Sequence, residues 1–487
     1  MATAIVIGSG IGGLAVAIRL AVKGYRVRVY ERNEVPGGKL SLLEKDGYVF
    51  DGGPSLFTQP QNIEDLFAMA GEPIGDYFRY RPVPLACRYF WENGKLVNAY
   101  THPDAFAREL EEKLGEEPGR VKSYLSRAEK MYDAIGTIFL DHSLHDRSTW
   151  LNRRILPAIA ATRFRYITTS MDRFNRSWFR SSEAAQLFNR FATYNGSNPY
   201  KAPAMLTMIP HLEQNEGTFY PEGGMISIPR ALYKLALKKG VEFSFNTLVG
   251  KIAVEGNKAT GVYVDGRLVR SDLVVSNMDV YYVYRDLLND AKAAAKVLTR
   301  ERSSSALIFY WGMNRSFPRL HLHNIFFSDN YAEEFDHLFV KRAMYDDPTV
   351  YVNITSKMEE GFCPQGHENW FVMVNAPADT GQDWNSAIRK VRESVIRKLS
   401  RMLGEDMGRS IATEMVMDPR GIQAGTLSHM GSLYGTSSNG IFSAFLRQPN
   451  HSSSVKGLYF TGGSVHPGGG IPLCLKSARI VADRIGG

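Results

Sequence analysis

An α/β fold, with a parallel sheet in one domain and a discontinuous α+β second domain, is predicted by three observations on this 487-residue chain. The first lies at the start. Ile5-Val6-Ile7 suits a buried parallel strand, and it runs directly into Gly8-Ser9-Gly10-Ile11-Gly12-Gly13. Leu14, Ala17, Ile18 and Ala21 then recur at helical spacing, and a strand from Arg26 to Tyr30 ends on Glu31. The second is near the end, where Leu458-Tyr459-Phe460, a glycine-rich turn and a helix from about Leu473 to Ile485 follow in order. The third is a group of apolar strand candidates in 305–376, closed by a long amphipathic helix.

The opening strand, glycine turn, helix and second strand form a complete βαβ dinucleotide unit of Rossmann type. Gly8 permits the tight turn, Gly10 lets backbone approach a pyrophosphate, and Gly13 allows close helix–strand packing. The helix start offers free N–H groups and a positive dipole end to phosphates. Glu31 stands 18 residues beyond Gly13, placed to accept hydrogen bonds from a ribose 2′-hydroxyl, which disfavours a 2′-phosphate. Two more glycine doublets follow, Pro36-Gly37-Gly38-Lys39 and Asp51-Gly52-Gly53-Pro54-Ser55. A nicotinamide-binding unit has no need of them. A flavin does, because backbone must pass close to its ribityl chain and ring. FAD is therefore the expected cofactor.

Further along, helices are expected over 104–114 and 118–140. Residues 152–190 mix Arg153, Arg154, Arg163, Arg165, Arg173, Arg176, Arg180 and Arg190 with aromatic and aliphatic side chains, a pattern that suits an anionic membrane surface. Residues 191–223, rich in aromatics, Met, Pro and Gly, suit a ligand-facing loop. A helix over 226–239 leads to strands at 241–245 and 248–254. Gly261 to Val269 forms a hairpin around Asp265-Gly266, and a strand to Asn277 follows. Ala306–Trp311, Asn324–Phe327, Val350–Ile354 and Trp370–Asn375 are expected strands. The helix from Trp384 to Met402 carries Ile388, Val391, Val395 and Leu399 on one stripe. At the end, Gly468-Gly469-Gly470-Ile471-Pro472 brings bare backbone to a helix start, which suits the flavin edge that gains negative charge on reduction.

Composition narrows the class. Hydrophobic residues make up 44% and charged residues 22%, enough for a large globular core. The three cysteines lack metal or disulfide spacing, so no zinc site is expected and a reducing cytoplasm is favoured. The first strand begins at once, so no signal peptide is expected, and no apolar run is long enough to span a bilayer. The net charge of +8 comes without a nucleic-acid-binding signature.

The motifs GSGIGG (8–13), ERNEVPGGK (31–39), DGGPS (51–55) and TGGSVHPGGGIP (461–472), with ATYNGSNPY (192–200) and GTFYPEGGM (217–225), are similar to those of bacterial-type phytoene desaturases and related carotenoid desaturases. That resemblance implies an FAD domain made of 1–85, 221–290 and 420–487. It also implies a substrate domain of 86–220 and 291–419, with a helical membrane-facing part around 104–190. Cofactor contacts are then expected from Gly8, Gly10, Ile11, Gly12, Gly13, Glu31, Arg32, Gly38, Lys39, Gly53, Pro54, Ser55, Gly462, Gly463, Gly470 and Ile471. By the same likeness Val249 backs the adenine and Asn277 lies near the cofactor.

The implied chemistry is desaturation of a C40 carotenoid at the flavin, with oxygen or a quinone as final electron acceptor. The substrate is either phytoene-type or a later, hydroxylated monocyclic carotene, drawn from the inner face of the membrane by a peripheral protein. Phe191, Tyr194, Met208, Phe219, Phe309 and Trp311, together with Met205, Tyr220, Phe326 and Tyr351, are candidates to line its tunnel. His466 is the candidate catalytic proton acceptor, with Glu222 and Lys476 behind it. Three alternatives stay open: an amine or porphyrinogen oxidase, a carotenoid isomerase, and a non-enzymatic prenyl-lipid carrier.

Overall fold

The structure, a computed structural model, describes residues 1–151, 164–440, 443 and 446–486. Five parallel strands form the first sheet, in the order Leu458–Phe460, Leu273–Ser276, Thr3–Ile7, Arg26–Tyr30, Glu242–Ser244. Parallel strands need crossovers, and helices therefore cover the sheet. Helix Ile11–Val22 packs beside helix Ile471–Ile485 on one face, where Leu14, Val16, Ile18, Leu475 and Val481 are buried together. The other face is covered by the antiparallel sheet Val249–Glu255, Lys258–Val264, Arg267–Arg270. Its tight turn is the expected one: Asp265 and Gly266 both take positive φ, +48° and +74°, as a two-residue hairpin with right-handed twist requires.

The second sheet has seven strands, in the order Ile411–Met417, Ser305–Met313, Glu368–Ala376, Val350–Asn353, His323–Phe326, Leu85–Phe90, Leu96–Tyr100. The last two strands form a hairpin absent from the expectations above, although Asn93-Gly94 between them is a turn signal. Helix Trp384–Leu403 covers one face of this sheet. Period-2 alternation sends Leu307, Phe309, Trp311 and Met313 to that face, where they meet Trp370, Trp384, Val391 and Val395. Ala306, Ile308 and Tyr310 point the opposite way, toward Tyr48, Phe50 and Phe371.

A layer of short helices forms the remaining body, beginning with Pro103–Leu114 and Pro118–Met131. The expected helix 118–140 is interrupted: Tyr132–Gly136 forms a wider turn before Thr137–Phe139 resumes. Of the 152–190 stretch, 152–163 lies outside the described residues. The remainder forms helices Phe164–Thr168, Met171–Trp178 and Ser182–Asn189. Arg165, Arg173, Arg176 and Arg180 are exposed there, while Met171 and Phe174 turn into the core. No helix of the described residues is long and apolar enough to cross a membrane.

Candidate cofactor and substrate site

Glycine segments distant in the chain meet above the parallel sheet. Gly8, at φ +90°, turns the chain out of the first strand, and its N–H donates to the Tyr30 carbonyl at 2.8 Å. The reason position 13 must lack a side chain is direct: a Cβ there would stand 2.0 Å from the Gly8 carbonyl oxygen. Gly10 pairs with Gly37, and a Cβ on Gly38 would lie 3.2 Å from the Gly10 Cα. A Cβ on Gly12 would lie 3.0 Å from the Gly462 nitrogen, and one on Gly463 would lie 3.2 Å from the Gly469 Cα. Gly53 is pressed against the Lys39 carbonyl, where a Cβ would come within 1.9 Å. Asn277 sits at the centre, its amide within 2.7 Å of the Cβ positions of both Gly10 and Gly12. Helices Ile11–Val22 and Ile471–Ile485 both start here, on Gly10 and Gly470, with no side chain capping either. First-turn N–H groups without caps can be satisfied by an anionic ligand.

Glu31 is buried, and its carboxylate accepts from Ser9 N at 2.7 Å, Ser9 Oγ at 2.9 Å and Asn33 N at 2.9 Å. Val249 is buried in the same cluster as Tyr30, the last residue of the strand that precedes Glu31. Arg32 is drawn away to the Ala424 carbonyl. Pro54 is exposed, while the Ser55 hydroxyl meets the Tyr351 hydroxyl at 2.7 Å. Ile471 is buried at the helix start.

Charge gathers around these turns. Lys39 Nζ donates to the Leu433 carbonyl at 2.6 Å, and burial pulls its ammonium down to about 8. Arg302 is paired with Asp279 and donates to Ser432 Oγ at 2.8 Å. Burial opposes the charge of Asp279, but Arg302 and the N–H groups of Tyr281 and His429 outweigh it and hold the carboxyl below its usual range. Arg447 is buried against Gly468 and donates to the Tyr434 carbonyl at 2.8 Å; desolvation lowers its guanidinium to about 10. Three cations to one carboxylate make this place favourable for an anionic group. Asp279, Arg302 and Arg447 carry no spacing signal in the sequence, and only the fold assembles them.

The candidate substrate residues separate into four groups. Met205 and Met208 join Ile135, Phe139, Leu140, Leu206 and Leu473 around a narrow crevice of about 40 Å³, which Arg447, His466 and Pro467 also line. Phe191 and Tyr194 pack in the helical layer beside it, under the Arg190 guanidinium. Phe219 belongs elsewhere, in an edge-on aromatic cluster with Phe57 and Tyr80. Phe309 and Trp311 do not reach the site. Strand parity turns them, with Phe326, into the core under helix Trp384–Leu403, and Trp311 donates its indole N–H to Glu414 at 2.6 Å. Their neighbours face inward instead: the Tyr310 hydroxyl donates to the Gly52 carbonyl at 2.9 Å. An apolar run cannot reveal which parity faces the ligand when both faces are buried.

His466 is 1% exposed, and its Nε2 meets the His142 carbonyl at 2.8 Å, tying the C-terminal loop to the helical layer. Lys476 pairs with Asp141 at 2.5 Å, and Glu222 is exposed. No cluster of potential metal ligands occurs among the described residues.

The backbone cradle, the buried Glu31 carboxylate and the gathered cations fit FAD, and with the second domain they define a two-domain FAD-dependent oxidoreductase. The profile of the family described as flavin-containing amine oxidoreductases matches residues 11–486. The chain is 47% identical over 485 residues to a 1-hydroxycarotenoid 3,4-desaturase of Flavobacterium sp. (strain P99-3), covering 100% of this chain and 99% of that one. It is 33% identical to a 4,4'-diapolycopene oxygenase of Methylomonas sp., covering 99% and 97%. Among solved structures, putrescine oxidase with bound putrescine matches with a TM-score of 0.65 at 14% identity, covering 99% and 98%. A Rab GDI from Plasmodium falciparum matches at 0.56 and 14%, covering 100% and 98%; both likenesses concern the fold alone. The chain belongs to the flavin-containing amine oxidoreductase family, on its carotenoid desaturase side.

Proposed function

We propose that this enzyme desaturates a C40 carotenoid, introducing a C=C bond into a polyene chain, with a 1-hydroxylated carotenoid favoured over phytoene. The observation that carries this is the apolar crevice that opens from the helical layer onto His466-Pro467, beside the cofactor turns. A long hydrocarbon has no charge to recognise, so shape and apolar contact must select it. The end-to-end likeness to a 1-hydroxycarotenoid 3,4-desaturase supports the same reading.

Bound FAD supplies the hydride acceptor at this site. The chain's own contribution is placement and exclusion of water. The glycine turns admit the cofactor, Glu31 offers its carboxylate to a ribose, and Lys39, Arg302 and Arg447 favour negative charge nearby. Tyr310 and Ser55 hold the 52–55 segment against the second sheet. The Met and Leu side chains of the crevice keep solvent from the polyene.

Access from the inner membrane surface is part of the proposal. It is supported by the exposed Arg165, Arg173, Arg176 and Arg180, and by Trp150 and Leu151, which are 49% and 84% exposed. Oxygen or a quinone would serve as the final electron acceptor.

The test feeds FAD-loaded protein on anionic liposomes with phytoene and with a 1-hydroxylated acyclic carotene, and reads products by mass and absorbance. Loss of two hydrogens with a red shift is expected from the hydroxylated carotene. Gain of an oxygen atom would instead place the enzyme with the oxygenases, and no product from either would refute the assignment.

A further inference from the structure

On the inner face of the seven-stranded sheet, a chain of polar groups leaves the 52–55 segment and ends inside the protein. Ser55 Oγ meets the Tyr351 hydroxyl at 2.7 Å, and that hydroxyl meets His323 Nδ1 at 2.8 Å. Asn353 Nδ2 approaches the same Nδ1 at 3.2 Å and donates to the Leu322 carbonyl at 3.1 Å. The Leu322 carbonyl fixes the Asn353 amide, so Nδ1 of His323 is an acceptor and the ring proton lies on Nε2. His323 is 2% exposed, and burial together with the nearby Arg190 lowers it to about 3, so the ring is neutral. Nε2–H is buried without a hydrogen-bond partner, and so is Asn353 Oδ1. One network thus leaves over one donor and one acceptor, the two functions of an alcohol. Leaving such groups unpaired is costly, and native proteins rarely do it without a use.

We propose that His323 Nε2, with Asn353 Oδ1, binds the hydroxyl group of the carotenoid substrate and sets the enzyme's preference for a hydroxylated end. The inference rests on the desaturase reading above and deepens it. Position supports it as well as chemistry. In a 1-hydroxylated chain desaturated between carbons 3 and 4, one methylene separates the carbinol carbon from the nearer reacting carbon, about 2.5 Å away. The hydroxyl must therefore be held beside the cofactor and not at the far end of a tunnel. The Ser55–Tyr351–His323 chain starts on the same 51–55 segment that abuts Lys39, so it lies at that end.

The experiment compares kcat/KM for a 1-hydroxylated carotene and for its hydrocarbon analogue of equal conjugation, using FAD-loaded wild type, His323→Leu and His323→Gln on liposomes. Wild type is expected to prefer the alcohol by roughly tenfold to a hundredfold, the range for a donor left unpaired by the wrong substrate. His323→Leu is expected to lose that preference, its kcat/KM falling for the alcohol by roughly tenfold to a hundredfold more than for the hydrocarbon. His323→Gln, whose amide N–H can stand near Nε2, is expected to restore most of it. Flavin absorbance verifies that each variant has loaded its cofactor. Equal rates of wild type on alcohol and hydrocarbon would overturn the proposal alone, without need of any variant. Equal losses on both substrates in His323→Leu would reduce His323 to a packing role and also overturn it. Wild type that converts neither polyene would remove the desaturase reading and this proposal together.

Discussion

Replacing Glu31 by Gln separates the two tasks assigned to that carboxylate. In the structure its two oxygens accept from three donors, Ser9 N, Ser9 Oγ and Asn33 N, at 2.7–2.9 Å. A glutamine can present one oxygen to Ser9 or to Asn33 but not to both, and its NH₂ then faces a buried N–H. The loss is one charge-assisted hydrogen bond and one unsatisfied backbone donor, about 2–4 kcal/mol for the cofactor-free protein. Binding of FAD suffers separately, because the amide is a weaker acceptor for a ribose hydroxyl. About 1.5–3 kcal/mol there corresponds to a Kd raised roughly tenfold to 150-fold. Two measurements resolve the parts: urea unfolding of the apoprotein, and titration of apoprotein with FAD followed by flavin fluorescence. A variant with lowered apoprotein stability but FAD affinity within twofold of wild type would refute the ribose contact and leave Glu31 as a brace for the glycine turn.

Further outcomes follow from the same geometry. Gly13→Ala puts a carbon 2.0 Å from the Gly8 carbonyl, so helix Ile11–Val22 must lift off its strand; protein purified without bound flavin is expected, and normal flavin content would contradict the packing argument. Lys39 is held near 8 in the free protein, and an anionic cofactor favours its charged form. FAD affinity should therefore fall as pH rises above about 8, with a slope that Lys39→Met removes. Burial raises Asp51 to about 6, against an ordinary value of 3.8, so the folded protein holds that proton where the unfolded chain releases it. That stability is fully present below about pH 4 and is lost as pH rises through 6, about 3 kcal/mol in all. Asp51→Asn, still accepting from Met225 N, should show a higher Tm than wild type at pH 8 and none of that advantage at pH 4. Phe309→Ala should lower unfolding stability by about 3–5 kcal/mol while leaving substrate preference unchanged, since Phe309 packs under the covering helix.

The cofactor end of the molecule is legible from local sequence. Gly8, Gly10, Gly13 and Glu31 are local devices: a turn, a close approach and a capped carboxylate follow from spacing within one βαβ unit, so they can be read without knowing the rest of the fold. The Asp265-Gly266 hairpin and the helix Trp384–Leu403 are local in the same sense: the turn falls where expected, although its first strand begins three residues earlier, and the helix runs one residue past Met402. Tertiary structure alone decided which residues of the second sheet face the ligand. Its central strands are buried on both sides, so their apolar pattern has no parity, and Phe309 and Trp311 turn away while Tyr310 turns in. Asp279, Arg302 and Arg447, and the Ser55–Tyr351–His323 chain, were likewise beyond the sequence, because single polar residues far apart in the chain carry no period. Burial then gives each of them its meaning. Burial lowers the basicity of Arg447 and His323, and leaves His323 with an unused hydrogen bond, only because the folded protein takes them out of water.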